Sequence, residues 1–297
     1  MIGPTPQQVA APVICIGNVT IGGSGKTPVA LDFAKRLKLM GMNPHFLTRG
    51  YGGRLLGPLK VELNYHTSAD VGDEALLLTR VAPTWIGTDR SATAIMALKA
   101  GANVLIMDDG FQNVSLVKDL SFLVFDGGVG KGNNHLLPAG PLREPLKNAL
   151  GRADGLILFG EDKTNLLSSL PNSMPKFVAS AWPTLDKMEL KGHRFLAFAG
   201  IGRPQKFFDT LEESGAILAE TKVFADHHPY SASEIRSLNE RAAILQATLI
   251  TTEKDAVRLQ PNEKIGINIL TISIHWDDAD AIEALLISLT NRVTHAG

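Results

Sequence analysis

The chain has 297 residues, 44% hydrophobic and 20% charged, with a formal net charge of −1. This is ordinary globular composition, long enough for one large or two modest domains, and the near-zero charge excludes a global pull toward nucleic acid or anionic lipid, though not a local basic patch. The one cysteine, Cys15, excludes an intrachain disulfide and a cysteine-based metal site, and suits a reducing compartment.

Short apolar runs alternate with helix-period segments, which predicts an α/β chain with a mostly parallel sheet. Residues 12–17 read as a buried strand, followed by a glycine-rich turn and a helix from about Lys26. In that helix Ala30, Phe33, Ala34 and Leu37 share one face, and Gly41 stops it. A strand over 45–48, a helix over 73–80, a strand over 84–87 and a helix over 91–99 come next. The strand at 103–107 runs into two aspartates, and 122–125 and 156–159 are two more strands. Between those two lies 127–145, a glycine- and proline-rich loop long enough to be functional or mobile.

The pattern weakens around 171–191, where a boundary is expected between a nucleotide-binding and catalytic domain, 1–185, and a smaller α/β lobe, 186–297. In the lobe, a strand over 195–199 leads through Gly200 and Gly202 to a helix over 207–213. Ser231 with Glu234 predicts a capping box. Strands at 248–251 and 269–274, a cap from Thr252 and Asp255, and a last helix over 279–292, free to return to the first lobe, complete the reading. No apolar stretch approaches the ~18 residues of a spanning helix. The opening residues lack a basic n-region, so a signal peptide is not expected.

The first turn reads Gly17-Asn18-Val19-Thr20-Ile21-Gly22-Gly23-Ser24-Gly25-Lys26-Thr27 between a predicted strand and a predicted helix, the setting of a P-loop. Gly22, Gly23, Ser24 and Gly25 let backbone N–H groups converge on phosphate, aided by the helix N-terminus. Lys26 reaches the β/γ-phosphates of a nucleotide and Thr27 holds Mg²⁺. Thr20 stands where the usual pattern has its first glycine. A plain glycine-rich βα turn is the alternative.

Residues 104–108 are four apolar residues ending in acid, and Asp109 follows. A parallel strand delivers such an acid to the sheet edge that carries the P-loop, where it can coordinate Mg²⁺. Adjacent strand residues face opposite ways, so Asp108 and Asp109 differ in role unless the strand has ended. Asp73 and Glu74 open a helix, where acids also serve the helix dipole. His227 and His228 sit in a turn as metal ligands or as solvated residues. Arg49 with Gly50, Tyr51, Gly52 and Gly53 makes a second glycine-rich loop, near phosphate or on the surface.

These runs, with Gly87-Thr88-Asp89-Arg90, Asp108-Asp109-Gly110-Phe111-Gln112, Leu136-Leu137-Pro138-Ala139-Gly140-Pro141-Leu142-Arg143-Glu144-Pro145, Phe198-Ala199-Gly200-Ile201-Gly202 and Thr252-Glu253-Lys254-Asp255-Ala256, resemble the tetraacyldisaccharide 4′-kinase family over most of the chain. The resemblance implies a P-loop NTPase-like sheet with helices on both faces plus a second α/β lobe, and ATP in the cleft between them. It implies transfer of the γ-phosphate to the 4′-hydroxyl of a tetraacyldisaccharide 1-phosphate, giving lipid IVA in lipid A biosynthesis. Asp73 is then the catalytic carboxylate, paired with His227; Asp108 and Asp109 serve Mg²⁺; Gln112, Arg143 and Glu144 line the nucleotide site. The expected partners are the lipid-linked disaccharide and the cytoplasmic face of the inner membrane, met peripherally, and no nucleic acid. Leu136, Leu137, Leu142 and Leu146 are candidates for an acyl-chain landing surface, or for core. Two positions depart from the family: Asn113 stands where a histidine is frequent, and only about a dozen residues precede the first strand, where the family usually carries a hydrophobic helix. The rival readings are a nucleotide-switch ATPase, whose loop has a lysine where this chain has Ile21, and a kinase or ligase acting on a soluble small molecule.

Overall fold

The computed structural model describes residues 5–184 and 190–294. In chain order the elements are β1 (Val13–Gly17), α1 (Lys26–Leu39), β2 (Pro44–Thr48), β3 (Leu59–Lys60), α2 (Ser68–Val71), α3 (Asp73–Thr79), β4 (Thr84–Ile86) and α4 (Arg90–Lys99). There follow β5 (Val104–Asp108), β6 (Leu120–Asp126), α5 (Leu146–Leu150), β7 (Gly155–Phe159), β8 (Lys176–Thr184), β9 (Arg194–Ala199) and α6 (Pro204–Glu213). The last are β10 (Ile217–Val223), α7 (Ala232–Ile244), β11 (Thr248–Thr252), α8 (Glu253–Ala256), β12 (Ile267–Trp276) and α9 (Ala279–Thr294). The chain divides into two compact units: Met1–His66, Asp70–Ala181 and Ile274–Gly297 form the first, Thr67–Ala69 and Trp182–Ser273 the second. The expected boundary at 185/186 lies outside the described residues.

In the first unit the strands run β8-β7-β6-β1-β5-β2-β4-β3, parallel except for β3 against β4. Strands β1, β5 and β7 are buried along their whole length, as strands covered on both faces must be. Their side chains alternate between two layers. Ile14 and Ile16 pack with Val29, Phe33 and Leu37 of α1 and with Ile282, Leu286 and Leu289 of α9. Val13 and Cys15 face the opposite layer, with Leu105, Met107, Leu123 and Phe125. Phe33 anchors the first layer, its ring 5.6 Å from Phe122 and 5.8 Å from Trp276. Gly41 closes α1 as expected: its N–H bonds to Lys38 O and the Met42 N–H to Leu37 O, the paired bonds of a Schellman motif.

The second unit orders its strands β10-β9-β11-β12, all parallel. Phe195, Ala197 and Ala199 of β9 meet Phe207, Phe208 and Leu211 of α6; Leu196 and Phe198 meet Ile235, Leu238 and Ala242 of α7 on the other face. The capping box at the start of α7 is present, with Ser231 and Glu234 bonding reciprocally. Thr252 caps α8 by accepting from the Asp255 N–H.

Three strands depart from the expectation, the shortest being β3 with two residues. The weak stretch around 171–191 contains β8, nine residues with Pro183 inside it. Strand β10 went unread because it lies at the edge of its sheet with few buried side chains, so Ile217–Val223 shows little apolar alternation. Among the described residues no helix is long and apolar enough to cross a membrane.

Candidate active site

Strand β1 ends at Gly17 and α1 begins at Lys26, so the predicted phosphate loop spans the strand–helix junction. Gly25 is the N-cap of α1 with φ 92°, and a Cβ there would lie 2.5 Å from the Phe159 ring. Only glycine satisfies both conditions. Gly22 and Gly23 are exposed, with nothing within 4 Å of where a Cβ would stand, so their backbone lines open space. Ser24 is buried and its hydroxyl has no hydrogen-bond partner.

The Thr20 departure has a structural reason. Thr20 forms an antiparallel bridge with Leu142; Ile21 N donates to Pro141 O (2.9 Å) and Arg143 N to Val19 O (2.7 Å). The phosphate loop is extended here and tied to the long 127–145 loop, a conformation that suits threonine. Of the two readings open for Leu142, acyl-chain contact or core, the same pairing goes with the core. Leu142 is buried in the core layer with Val19 and Phe111, and Leu146 packs against that layer. Leu136 and Leu137 remain exposed, at 44% and 49%.

Asp108 is the last residue of β5, in register with Ile16 of β1. It is 2% exposed. Its Oδ2 accepts from the Thr27 hydroxyl (2.9 Å), while Oδ1 has no hydrogen-bond partner. Burial pushes its carboxyl up to about 7, opposed by the Lys26 ammonium. Asp109 follows with φ 55°, so the strand has ended and the two acids separate. Asp109 is half-exposed, 3.1 Å from Arg143 and 3.7 Å from Lys26. A buried carboxylate oxygen without a partner, beside a threonine hydroxyl on a phosphate loop, is a donor set that fits Mg²⁺.

Gln112 and Glu144 join the same edge. Gln112 Nε2 donates to Asn18 O (2.8 Å) and to Glu144 Oε1 (3.2 Å). Arg152 grips both oxygens of Glu144 at 2.8 Å and lies 5.1 Å from the centre of the Phe111 ring. Sequence reasoning missed Arg152, because only the folded chain places it over Phe111. It also gave no role to Arg90. That side chain is buried, donates to Thr48 O (2.8 Å) and Gly87 O, and so joins the ends of β2 and β4. Burial, with Arg49 nearby, lowers its guanidinium to about 10.

Asp73 is the first residue of α3 and is buried. Its N-cap, Gly72, has φ 84°, and a Cβ there would collide with Tyr51 O. The 50–53 loop thus packs backbone to backbone against the residues that deliver Asp73, and Arg54 clamps Asp70 from it at 2.7 Å. Tyr51 and Arg49 are exposed.

His227 belongs to the second unit, on the turn between β10 and α7, with φ 60°. Its N–H donates to Gly200 O (3.1 Å) and its Nε2 is 3.8 Å from Asp226 Oδ1. His228 stacks on Phe224 at 4.8 Å and contacts Glu234 at 3.0 Å. Among the described residues no group of three or more His, Cys, Asp or Glu side chains is arranged to hold a metal.

A glycine-rich strand–helix turn, a threonine hydroxyl on a buried strand-end aspartate, and parallel strands behind them define a P-loop nucleotide-binding protein. Comparison with known proteins narrows the class. A family model described as Tetraacyldisaccharide-1-P 4′-kinase matches residues 4–291, and the chain belongs to that family. A tetraacyldisaccharide 4′-kinase of Rhodospirillum centenum is 48% identical over 288 residues, 97% of this chain and 86% of the relative. One of Gluconacetobacter diazotrophicus is 49% identical, covering 95% and 86%. The crystal structure of LpxK from Aquifex aeolicus in complex with ATP superposes with a TM-score of 0.76 at 27% identity, over 98% of this chain and 90% of that one.

Proposed function

We propose that this chain transfers the γ-phosphoryl group of ATP to the 4′-hydroxyl of a tetraacyldisaccharide 1-phosphate, the reaction for which its relatives are named. The observation that carries the reading is the Thr27–Asp108 pair at the foot of the phosphate loop, with Asp108 Oδ1 left for a cation. Thr27 and Asp108 would hold Mg²⁺, with Asp109 beside them; when bound, Mg²⁺ would offset the negative charge of the triphosphate. The amides at Gly22–Gly25 bind phosphate oxygens, and Lys26 neutralises charge on the phosphoryl group as it moves. Arg143, Gln112 and Glu144 orient the nucleotide. Asp73 takes the proton of the 4′-hydroxyl as its oxygen bonds to phosphorus and the bond to the ADP oxygen breaks. His227 is the proposed partner of Asp73 in that proton transfer.

The substrate carries four acyl chains, so the reaction is placed at the cytoplasmic surface of the inner membrane, with Leu136 and Leu137 as exposed apolar contacts. A nucleotide-switch ATPase is disfavoured by family membership and by Ile21, where such loops carry lysine. The test is incubation with γ-labelled ATP and the lipid disaccharide monophosphate, then chromatography of the lipid. Label is expected in the lipid with the parent enzyme and lost in Lys26→Ala. Unchanged labelling by Lys26→Ala would remove the phosphate-loop assignment.

A further inference from the structure

Two of the sequence runs that the phosphate site leaves unused, 198–202 and 252–256, meet at one buried carboxylate, and a third, 226–228, is tied to it through Gly200. Asp255 lies in α8 with no solvent exposure. Its Oδ1 accepts from the Gly200 N–H (2.8 Å), the Tyr230 hydroxyl (2.7 Å) and Arg258 Nη1 (3.0 Å); its Oδ2 accepts from the Thr252 hydroxyl (2.6 Å). Four donors, one of them cationic, offset the loss of solvation that burying a carboxylate entails. The network continues to the functional turn. Gly200 O accepts from Arg258 Nη1 (2.8 Å) and from the His227 N–H (3.1 Å). Gly200 is thus gripped at both its donor and its acceptor, and His227 hangs on that acceptor. His227 has φ 60°, a left-handed conformation uncommon outside glycine that persists only where neighbours enforce it. Tyr230, three residues on, fixes the other side of the turn: its hydroxyl reaches Asp255 while its ring packs edge-on against Phe198 and Phe224.

We propose that Asp255 is a positioning residue for His227, acting through Gly200 and Tyr230 to fix the left-handed turn that presents the imidazole. The assignment rests on the reading of His227 as a participant in phosphoryl transfer. A carboxylate that merely stabilised the second unit would have the same bonds, so the test uses readouts that stability alone does not move. Asp255→Asn removes the carboxylate charge that Arg258 pairs with and risks the fold; Tyr230→Phe removes one hydroxyl and is the working variant. Tyr230→Phe, confirmed folded by circular dichroism, is expected to lower kcat about tenfold or more with the KM for ATP unchanged. In a His227→Ala background the same substitution is expected to cost nothing further. The imidazole resonance of His227, identified by its absence from the spectrum of His227→Ala, is expected to shift in Tyr230→Phe. Equal fold-losses in both backgrounds, or unaltered kcat in Tyr230→Phe, would overturn the proposal. Should His227→Ala itself retain full turnover, the catalytic reading of His227 fails separately. The resonance alone then decides the positioning: a shift upholds it and an unmoved resonance removes it.

Discussion

Asp108 is a carboxylate almost without solvent, held by one hydroxyl and facing Lys26. Its folded pKa of about 7 stands above the usual 3.8, so the native protein favours the protonated form. A raised pKa contributes stability that is full below the unfolded value and lost as pH rises through about 7. Asp108→Asn abolishes that titration. It is expected to raise the Tm of the nucleotide-free protein by a few degrees at pH 8 and by clearly less at pH 5, while removing most Mg²⁺-dependent turnover. Scanning calorimetry at the two pH values checks this, and an equal shift at both would contradict it. At Asp73 the expectation is kinetic. Asp73→Ala should lower kcat by about 10²–10⁴-fold with ATP still bound, as loss of a general base does. Steady-state assays with a binding titration measure both, and near-normal kcat would take the base role from Asp73. The Asp73→Ala/His227→Ala double variant should lose little more than either single one if the two act as a unit. Much of this was legible in the residues, because a phosphate loop and its strand-end acid are local patterns. Arg152 and Arg90 were not, since their partners are set by the fold. Leu142 was open between surface and core because residue type alone does not say what covers it.

The loop at 127–145 is read as long and glycine-rich, and the structure shows how part of it is ordered. Thr20–Leu142, Ile21–Pro141 and Val19–Arg143 pair two segments that are far apart in the chain. Leu142 buries its side chain beneath this pairing. Leu142→Ala is expected to cost about 2–5 kcal/mol of stability, as buried leucine truncations do, measured by denaturant titration. A loss near zero would mean that the pairing does not depend on the core beneath it. The α7 capping box is worth less. Ser231→Ala should cost about 0.5–2 kcal/mol, read in the same titration. The longer helices were readable from their periodicity and end signals, as Gly41 and Ser231 show, whereas the short α2 and α5 were not. Three strands were not readable either: β3 has only two residues, β10 exposes most of its side chains, and β8 carries Pro183.

Both units are parallel α/β layers, and the alternation of strand-sized runs with helical ones predicted as much. Strand order was out of reach, because periodicity says which face is buried but not which strand lies alongside. In the first unit β1 lies between β5 and β6, which brings Asp108 beside the phosphate loop and leaves the site at one sheet edge. In the proposed reaction this edge moves phosphate onto a lipid rather than releasing it to water. Phosphorus NMR of the purified lipid, taken with the yield of ADP, tests that directly. A second phosphate monoester at the 4′ position, in step with ADP and absent with Lys26→Ala, is predicted. ADP accumulating with free phosphate while the lipid keeps its single phosphate would contradict it.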